Sequence, residues 1–207
     1  MIKILDEHFI AEGTYQKCYR HPSNQNLCIK ISKQNIEISR LAYEIKYCEK
    51  ISKKKIKKKD YQFFSIFHGT VETNLGKGYV FDLIKDETNQ EISKTLEYYL
   101  LNPNPAISDQ TLKIAFERLI QLMAKYKIIA NDIRAKNICC KILKNKTIEL
   151  IHIDGLGHRD FIPLVNWFSY FAKKKIERRL LRFDLYDLDV HRNYLKSFYK
   201  NQDDTIQ

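Results

Sequence analysis

The chain is poor in the residues that break or loosen structure: its 207 residues include six glycines and four prolines. That scarcity excludes collagen-like and low-complexity architectures. No apolar run approaches the roughly 20 residues that a membrane-spanning helix needs. The amino terminus, Met1 to Leu5 followed by Asp6 and Glu7, is too short in its apolar part and too soon acidic for a secretory signal. A cytoplasmic protein without a transmembrane segment is expected. The cysteines, Cys18, Cys28, Cys48, Cys139 and Cys140, are odd in number and form no C-x-x-C pair or His-spaced set suited to zinc. They read as reduced, mostly buried thiols.

What the chain does contain is a globular complement of side chains. It is 44% hydrophobic and 29% charged, with 13 Tyr and 11 Phe, and a disordered chain would be poor in aromatics. The length suits one compact unit or two small lobes. Thirty-six Lys and Arg against 25 Asp and Glu leave a net charge of +11, which favours anionic partners such as nucleotides, nucleic acids or phosphorylated lipids. Part of the excess is local, in Lys53-Lys54-Lys55 with Lys57-Lys58-Lys59, and in Lys173-Lys174-Lys175 with Arg178-Arg179.

The pattern divides the chain into two sections with no repeat. From Ile4 to Ile31, short β-prone runs alternate with turn residues and predict a three-strand meander. From Ile36 to Ile56, apolar residues at Ile38, Leu41, Ala42, Ile45, Cys48 and Ile51 mark an amphipathic helix. Phe63 to Thr73 and Gly78 to Ile84 read as strands joined at Asn74-Leu75-Gly76-Lys77. After residue 85 the reading turns helical, with Lys94 to Leu101 and Asp109 to Lys127. Ser108 or Asp109 caps the second of these, whose stripe is Leu112, Ala115, Phe116, Leu119, Leu122 and Met123. Ile138 to Leu143 and Thr147 to Ile153 form a hairpin, and Phe161 to Phe183 returns to helix. The fold class is α+β, a β-rich section over 1–84 and a mainly helical one over 85–207.

Four stretches carry chemistry, and they occur in an informative order. Ile10 to Tyr19 lies across a strand-turn-strand and has the layout of a glycine-rich phosphate loop in which only Gly13, followed by Thr14, is kept. Leu27-Cys28-Ile29-Lys30 sets a lysine on the third strand, and the next helix offers Glu44 as its carboxylate. Tyr126 to Ile138 has the spacing of H-R-D-L-x-x-x-N, with Asp132 and Asn137 five apart. Ile151-His152-Ile153-Asp154-Gly155 ends a strand on an Asp-Gly step, the place of a D-F-G aspartate.

In these residues, across roughly 4 to 160, the chain resembles the protein-kinase-like superfamily. It also resembles the small bacterial YrbL family of PhoP-network proteins. That closer match is carried by Cys28-Ile29-Lys30-Ile31, Glu44-Ile45-Lys46-Tyr47, His68-Gly69-Thr70-Val71-Glu72-Thr73 and Gly76-Lys77-Gly78-Tyr79-Val80. The resemblance implies a minimal two-lobe kinase-like fold with a nucleotide cleft between the lobes, and ATP and Mg²⁺ as cofactors. Lys30, held by Glu44, would present a fixed cation to the nucleotide phosphates, with Gly13 and Thr14 on the phosphate loop. Asn137 and Asp154 supply the hard oxygen ligands that Mg²⁺ prefers. Asp132 would take the proton of an acceptor hydroxyl while Arg134 faces the transferred phosphate. Adenine would bond backbone groups over Asp82 to Ile84, with Phe81 behind it.

The departures from the kinase pattern bear on activity. Ala11 and Gln16 replace the outer glycines of the phosphate loop, and Ala130-Asn131 replaces His-Arg of the catalytic loop. No A-P-E-like segment follows Asp154, and only about 50 residues remain after it, which disfavours peptide docking. The expectation is a phosphotransferase acting on a non-peptide or envelope-related acceptor. Two alternatives stand beside it: a pseudokinase-like regulator that binds nucleotide without turnover, and a nucleic-acid-binding module driven by charge. The lysines of 53–59 are expected to meet a polyanion or an anionic membrane surface.

Overall fold

The computed structural model describes residues 1–33, 38–105, 107–157, 169–182 and 185–203. The chain is α+β and divides into two compact units, Met1–Lys55 with Ser65–Lys85, and Ile56–Phe64 with Asp86–Gln207. Among the described residues no helix is long and apolar enough to cross a membrane. Two stretches expected to be helical, 36–37 and 161–168, lie outside the described residues, as does Phe183.

The first unit is an antiparallel sheet of β1 (Phe9–Glu12), β2 (Gln16–His21), β3 (Asn24–Ser32), β4 (Phe67–Thr73) and β5 (Gly76–Asp82), in the order β1-β2-β3-β5-β4. Helix α1 (Ile38–Ser52) connects β3 to β4 and packs on β4. The meander is present, but its first strand begins at Phe9. Ile4 is instead drawn into the core by Asn74, whose amide oxygen accepts from the Ile4 N–H at 2.6 Å and whose amide nitrogen donates to the Ile4 carbonyl at 3.0 Å. The β4–β5 turn is also tighter than expected. Thr73 pairs with Gly76 across Asn74-Leu75, a two-residue loop in which Gly76 takes φ 106°.

β3 lies in the middle of the sheet, and Cys28 to Ile31 are all buried. Ile29 and Ile31 join Ile4, Tyr19 and Val80 in one core cluster, so alternation sends Lys30 to the opposite face. Gly78 stands opposite Ile31 and Val71 on the core face. A β-carbon there would come within 2.5 Å of the Ile29 Cγ2 and 3.3 Å of methyls of Thr73 and Val71.

The second unit contains α2 (Leu96–Leu101), α3 (Asp109–Tyr126), the hairpin β6 (Ile138–Ile142) and β7 (Ile148–His152), α4 (Ser169–Arg182) and α5 (Leu188–Asp203). Ser108 caps α3 by accepting from the Thr111 N–H at 3.1 Å, and Lys127 closes it at φ 54°. The expected stripe of α3 is buried throughout. α5 has no counterpart in the sequence reading, although Leu188, His191 and Leu195 are buried at helical spacing. Phe63 and Phe64 do not begin β4 as expected. They are buried beside the hairpin, where the His152 N–H donates to the Phe63 carbonyl at 2.9 Å and Phe63 packs on Tyr126.

The 56–64 segment is anchored by Asp60, whose side chain is 1% exposed. Its carboxylate takes Lys125, Tyr126 and Arg118 from the C-terminal half of α3. The Lys125 and Tyr126 hydrogen bonds lead in holding its pKa down, to about 2 from an ordinary 3.8. A depressed carboxylate stabilises the fold at pH above its unfolded value and loses that contribution as pH falls toward its folded value. Stability should therefore drop between about pH 4 and pH 2, and Asp60→Asn should flatten that part of an acid-unfolding profile. In the first unit, Gly78→Ala should destabilise by about 1–3 kcal/mol through overpacking against Ile29, read as a lower urea midpoint with an unchanged slope.

Candidate functional site

The stretch 128–137 follows α3 without regular structure until a short 3-10 turn at Ala135–Asn137. Ile128, Ile129, Ala130, Ile133 and Ala135 are each no more than 1% exposed. These apolar anchors leave Asn131, Asp132 and Arg134 at the partly exposed positions between them.

Gly155 fastens this loop from the other side. Its carbonyl accepts both the Asn131 N–H at 2.9 Å and the Asp132 N–H at 3.2 Å. It holds φ +70°, and a β-carbon would lie 2.6 Å from the Asp132 Cβ and 3.0 Å from its carbonyl oxygen, so only glycine fits without displacement. Ala130 bridges Leu156, the Gly157 N–H reaches the Ile129 carbonyl at 2.8 Å, and the Ile153 N–H reaches that of Asn137 at 2.9 Å. Asn137 is buried and donates its amide nitrogen to the Asp132 carbonyl at 3.1 Å. The amide oxygen is then the end left to ligate a cation.

Asp132 and Arg134 form a bidentate pair, with Nε on Oδ1 at 2.7 Å and Nη2 on Oδ2. Burial pushes the Asp132 carboxyl up, but the Arg134 hydrogen bonds and charge outweigh it and leave the pKa below the ordinary value. Arg134 is raised in turn, chiefly by its hydrogen bond to Asp132. The guanidinium expected to face a phosphate thus rests on the carboxylate expected to act as base. Asn131, which the sequence reading took only as a departure from His-Arg, accepts from Arg179 of α4 at 3.0 Å through its side-chain oxygen.

The structure therefore brings together Asp132, Arg134 and Asn137, with Asp154 immediately before Gly155 in the segment that follows β7. Asn137 and Asp154 are hard oxygen donors, a two-residue set suited to Mg²⁺ completed by phosphate oxygens and water. Among the described residues no three or more His, Cys, Asp or Glu side chains gather around a common metal position.

The remaining candidates belong to the first unit. Lys30 is buried, 9% exposed, with Nζ 4.8 Å from the Phe81 ring centre. Glu44 sits half-buried on α1. Gly13 and Thr14 are exposed in the β1–β2 turn, where the Gly13 N–H donates to the Gln16 carbonyl at 2.8 Å. Just before them, Glu12 is paired with Lys33 and lies 3.7 Å from Lys17. Asp82 serves the sheet instead of presenting its backbone. Its N–H donates to the Ile66 carbonyl at 3.1 Å, its own carbonyl accepts from Ser65, and its carboxylate takes the Ile66 N–H and His68. Leu83 likewise donates to the Asn26 carbonyl at 2.8 Å.

Against known proteins, the family model described as "PhoP regulatory network protein YrbL" matches residues 2–185. The chain belongs to the YrbL family. It is 28% identical over 188 residues to YrbL of Escherichia coli K12, spanning 88% of this chain and 86% of that protein. The same values hold for YrbL of Shigella flexneri. In this YrbL-family chain, Gly155 is the residue that the sequence reading passed over. Its only signal was the Asp-Gly step, because the demand for glycine arises from Asp132 approaching it across 23 residues.

Removing the Arg134 guanidinium leaves burial as the leading influence on Asp132. Arg134→Met should move the Asp132 titration upward in carbon-detected NMR, and Arg134→Lys should move it less. An unmoved titration would show that Arg134 does not hold the carboxylate in solution.

Proposed function

We propose that this chain is an ATP- and Mg²⁺-dependent phosphotransferase with a minimal two-lobe kinase-like fold, acting on a non-peptide or envelope-related acceptor. The observation that supports it best is the Gly155 lock, which holds the Asp132 backbone against Asn137 with Asp154 next in the chain. Asp132 is assigned the acceptor's proton, Asn137 and Asp154 the metal, and Lys30 the nucleotide phosphates. Bound Mg²⁺ would neutralise charge on the phosphate oxygens. Arg134 would have to exchange Asp132 for the transferred phosphate, a trade of one bidentate anion for another. We extend the family's tie to a PhoP regulatory network to this chain as part of the same proposal.

A pseudokinase-like regulator that binds nucleotide without turnover is the second reading. The bidentate hold of Arg134 on Asp132 favours it, since a carboxylate so paired and so acidic is a weak base. As partner, a polyanion or anionic membrane surface is proposed at Lys53–Lys59, where all six lysines are exposed. The loop beneath them is held by Asp60 and by the Lys57 N–H donating to the Tyr126 hydroxyl at 3.0 Å.

Thermal unfolding with ATP or ADP, with and without Mg²⁺, tests the assignment. Nucleotide at a hundredfold excess over its Kd should raise the midpoint by roughly 5–10 °C. Asp154→Ala should lose the metal-dependent part, while Asp132→Asn should keep the stabilisation and lose turnover. Equal stabilisation of wild type and Asp154→Ala would remove the metal assignment. Stabilisation without ATP consumption across a broad acceptor panel would establish the second reading.

A further inference from the structure

Helix α4 is basic on a face that is also apolar. Its fourteen residues contain six Lys and Arg and a single acid, Glu177. Ala172, Lys175, Ile176 and Leu180 are buried, and Arg179 turns inward to Asn131. The opposite face carries Tyr170 and Leu181, each at 60% exposure, with Phe171 at 40% on its flank. Tyr170 and Leu181 are eleven residues apart, about three turns, so they lie on one line along the helix. Lys173, Lys174, Arg178 and Arg182 are exposed around them, and the Lys174 ammonium sits 4.8 Å from the Tyr170 ring centre.

We propose that the outer face of α4 docks on an anionic lipid surface, with Tyr170, Phe171 and Leu181 entering the headgroup region and the Lys and Arg side chains meeting lipid phosphates. Charge complementarity selects an anionic occupant, and the mixture of side chains selects a bilayer. A helix lying in an interface needs apolar side chains of modest depth bordered by basic ones that can reach outward. Tyrosine fits the boundary because its ring is apolar and its hydroxyl wet. Single-stranded nucleic acid suits the face less well. Tyr170 and Phe171 meet edge to face at 75°, which offers no flat pair for bases to stack on, and Leu181 has no ring at all. The inward side of the same helix reaches the candidate loop through Arg179 and Asn131, so a docked α4 would hold that loop close to the lipid surface. The docking itself does not depend on any activity of the loop.

The experiment is sedimentation of the full chain with phosphatidylcholine vesicles, with and without phosphatidylglycerol, across a salt series. Far-UV circular dichroism confirms that each variant is folded, and ATP-dependent thermal stabilisation is read in parallel. Wild type should bind only the phosphatidylglycerol vesicles, and less as salt rises. Lys173→Gln with Lys174→Gln and Arg178→Gln should bind roughly a hundredfold more weakly, at about tenfold or less per charge. Phe171→Ser with Leu181→Ser should weaken binding by tenfold or more at the same salt. Both variants should keep the wild-type response to ATP. The proposal is overturned by undiminished binding of either variant, by equal binding to neutral vesicles, or by displacement of wild type from vesicles onto single-stranded RNA.

Discussion

The candidate site depends on one close approach of two backbones. The Gly155 carbonyl can accept from Asn131 and Asp132 together only because no β-carbon stands in the way, and the φ of +70° that aims it is one an L side chain rarely adopts. From this contact follow the bridge between Ala130 and Leu156 and the seat of Asn137 under the Asp132 carbonyl. Apolar anchors on both sides, Ile128 to Ala130 and Ile133 with Ala135, keep the strand of chain from rotating its polar residues inward. A loop of this kind is stiff where it is buried and adjustable only at the ends of its side chains.

The excess positive charge is used in two distinct ways. Buried or half-buried carboxylates consume part of it: Asp60 takes Arg118 and Lys125, and Asp132 takes Arg134. In each case a carboxylate is satisfied by more than one hydrogen bond, which offsets its desolvation. The remainder is displayed at the surface in two clusters, the lysines of 53–59 and the outer side of α4. Charge that secures the fold and charge available to a partner are therefore carried by different residues. The +11 sum could not separate the two.

Lys30 illustrates the same division within the sheet. A lysine at the centre of a buried strand costs more than an isoleucine would, since its ammonium must leave water or find compensation. The sheet gives it the Phe81 ring on the face opposite the core. Asp82 on the adjacent strand β5, by contrast, is absorbed into joining the ends of β4 and β5, where its backbone and carboxylate meet Ser65, Ile66 and His68.

Local pattern alone determined the α3 stripe with its Ser108 cap, the β6–β7 hairpin, the placement of Lys30 on the third strand and the five-residue spacing of Asp132 and Asn137. Each of these depends on periodicity or on residues within a turn of one another, so the sequence carries the information directly. Tertiary contacts decided the rest. Asn74 captures Ile4 from 70 positions away, and Phe63 and Phe64 leave the expected strand for the hairpin of the second unit. The requirement for glycine at 155 and the inward turn of Arg179 depend on residues 23 and 48 positions distant. Spacing along the chain holds no record of which distant group will compete for a side chain, because that competition is settled by burial and hydrogen bonding only once each unit has folded.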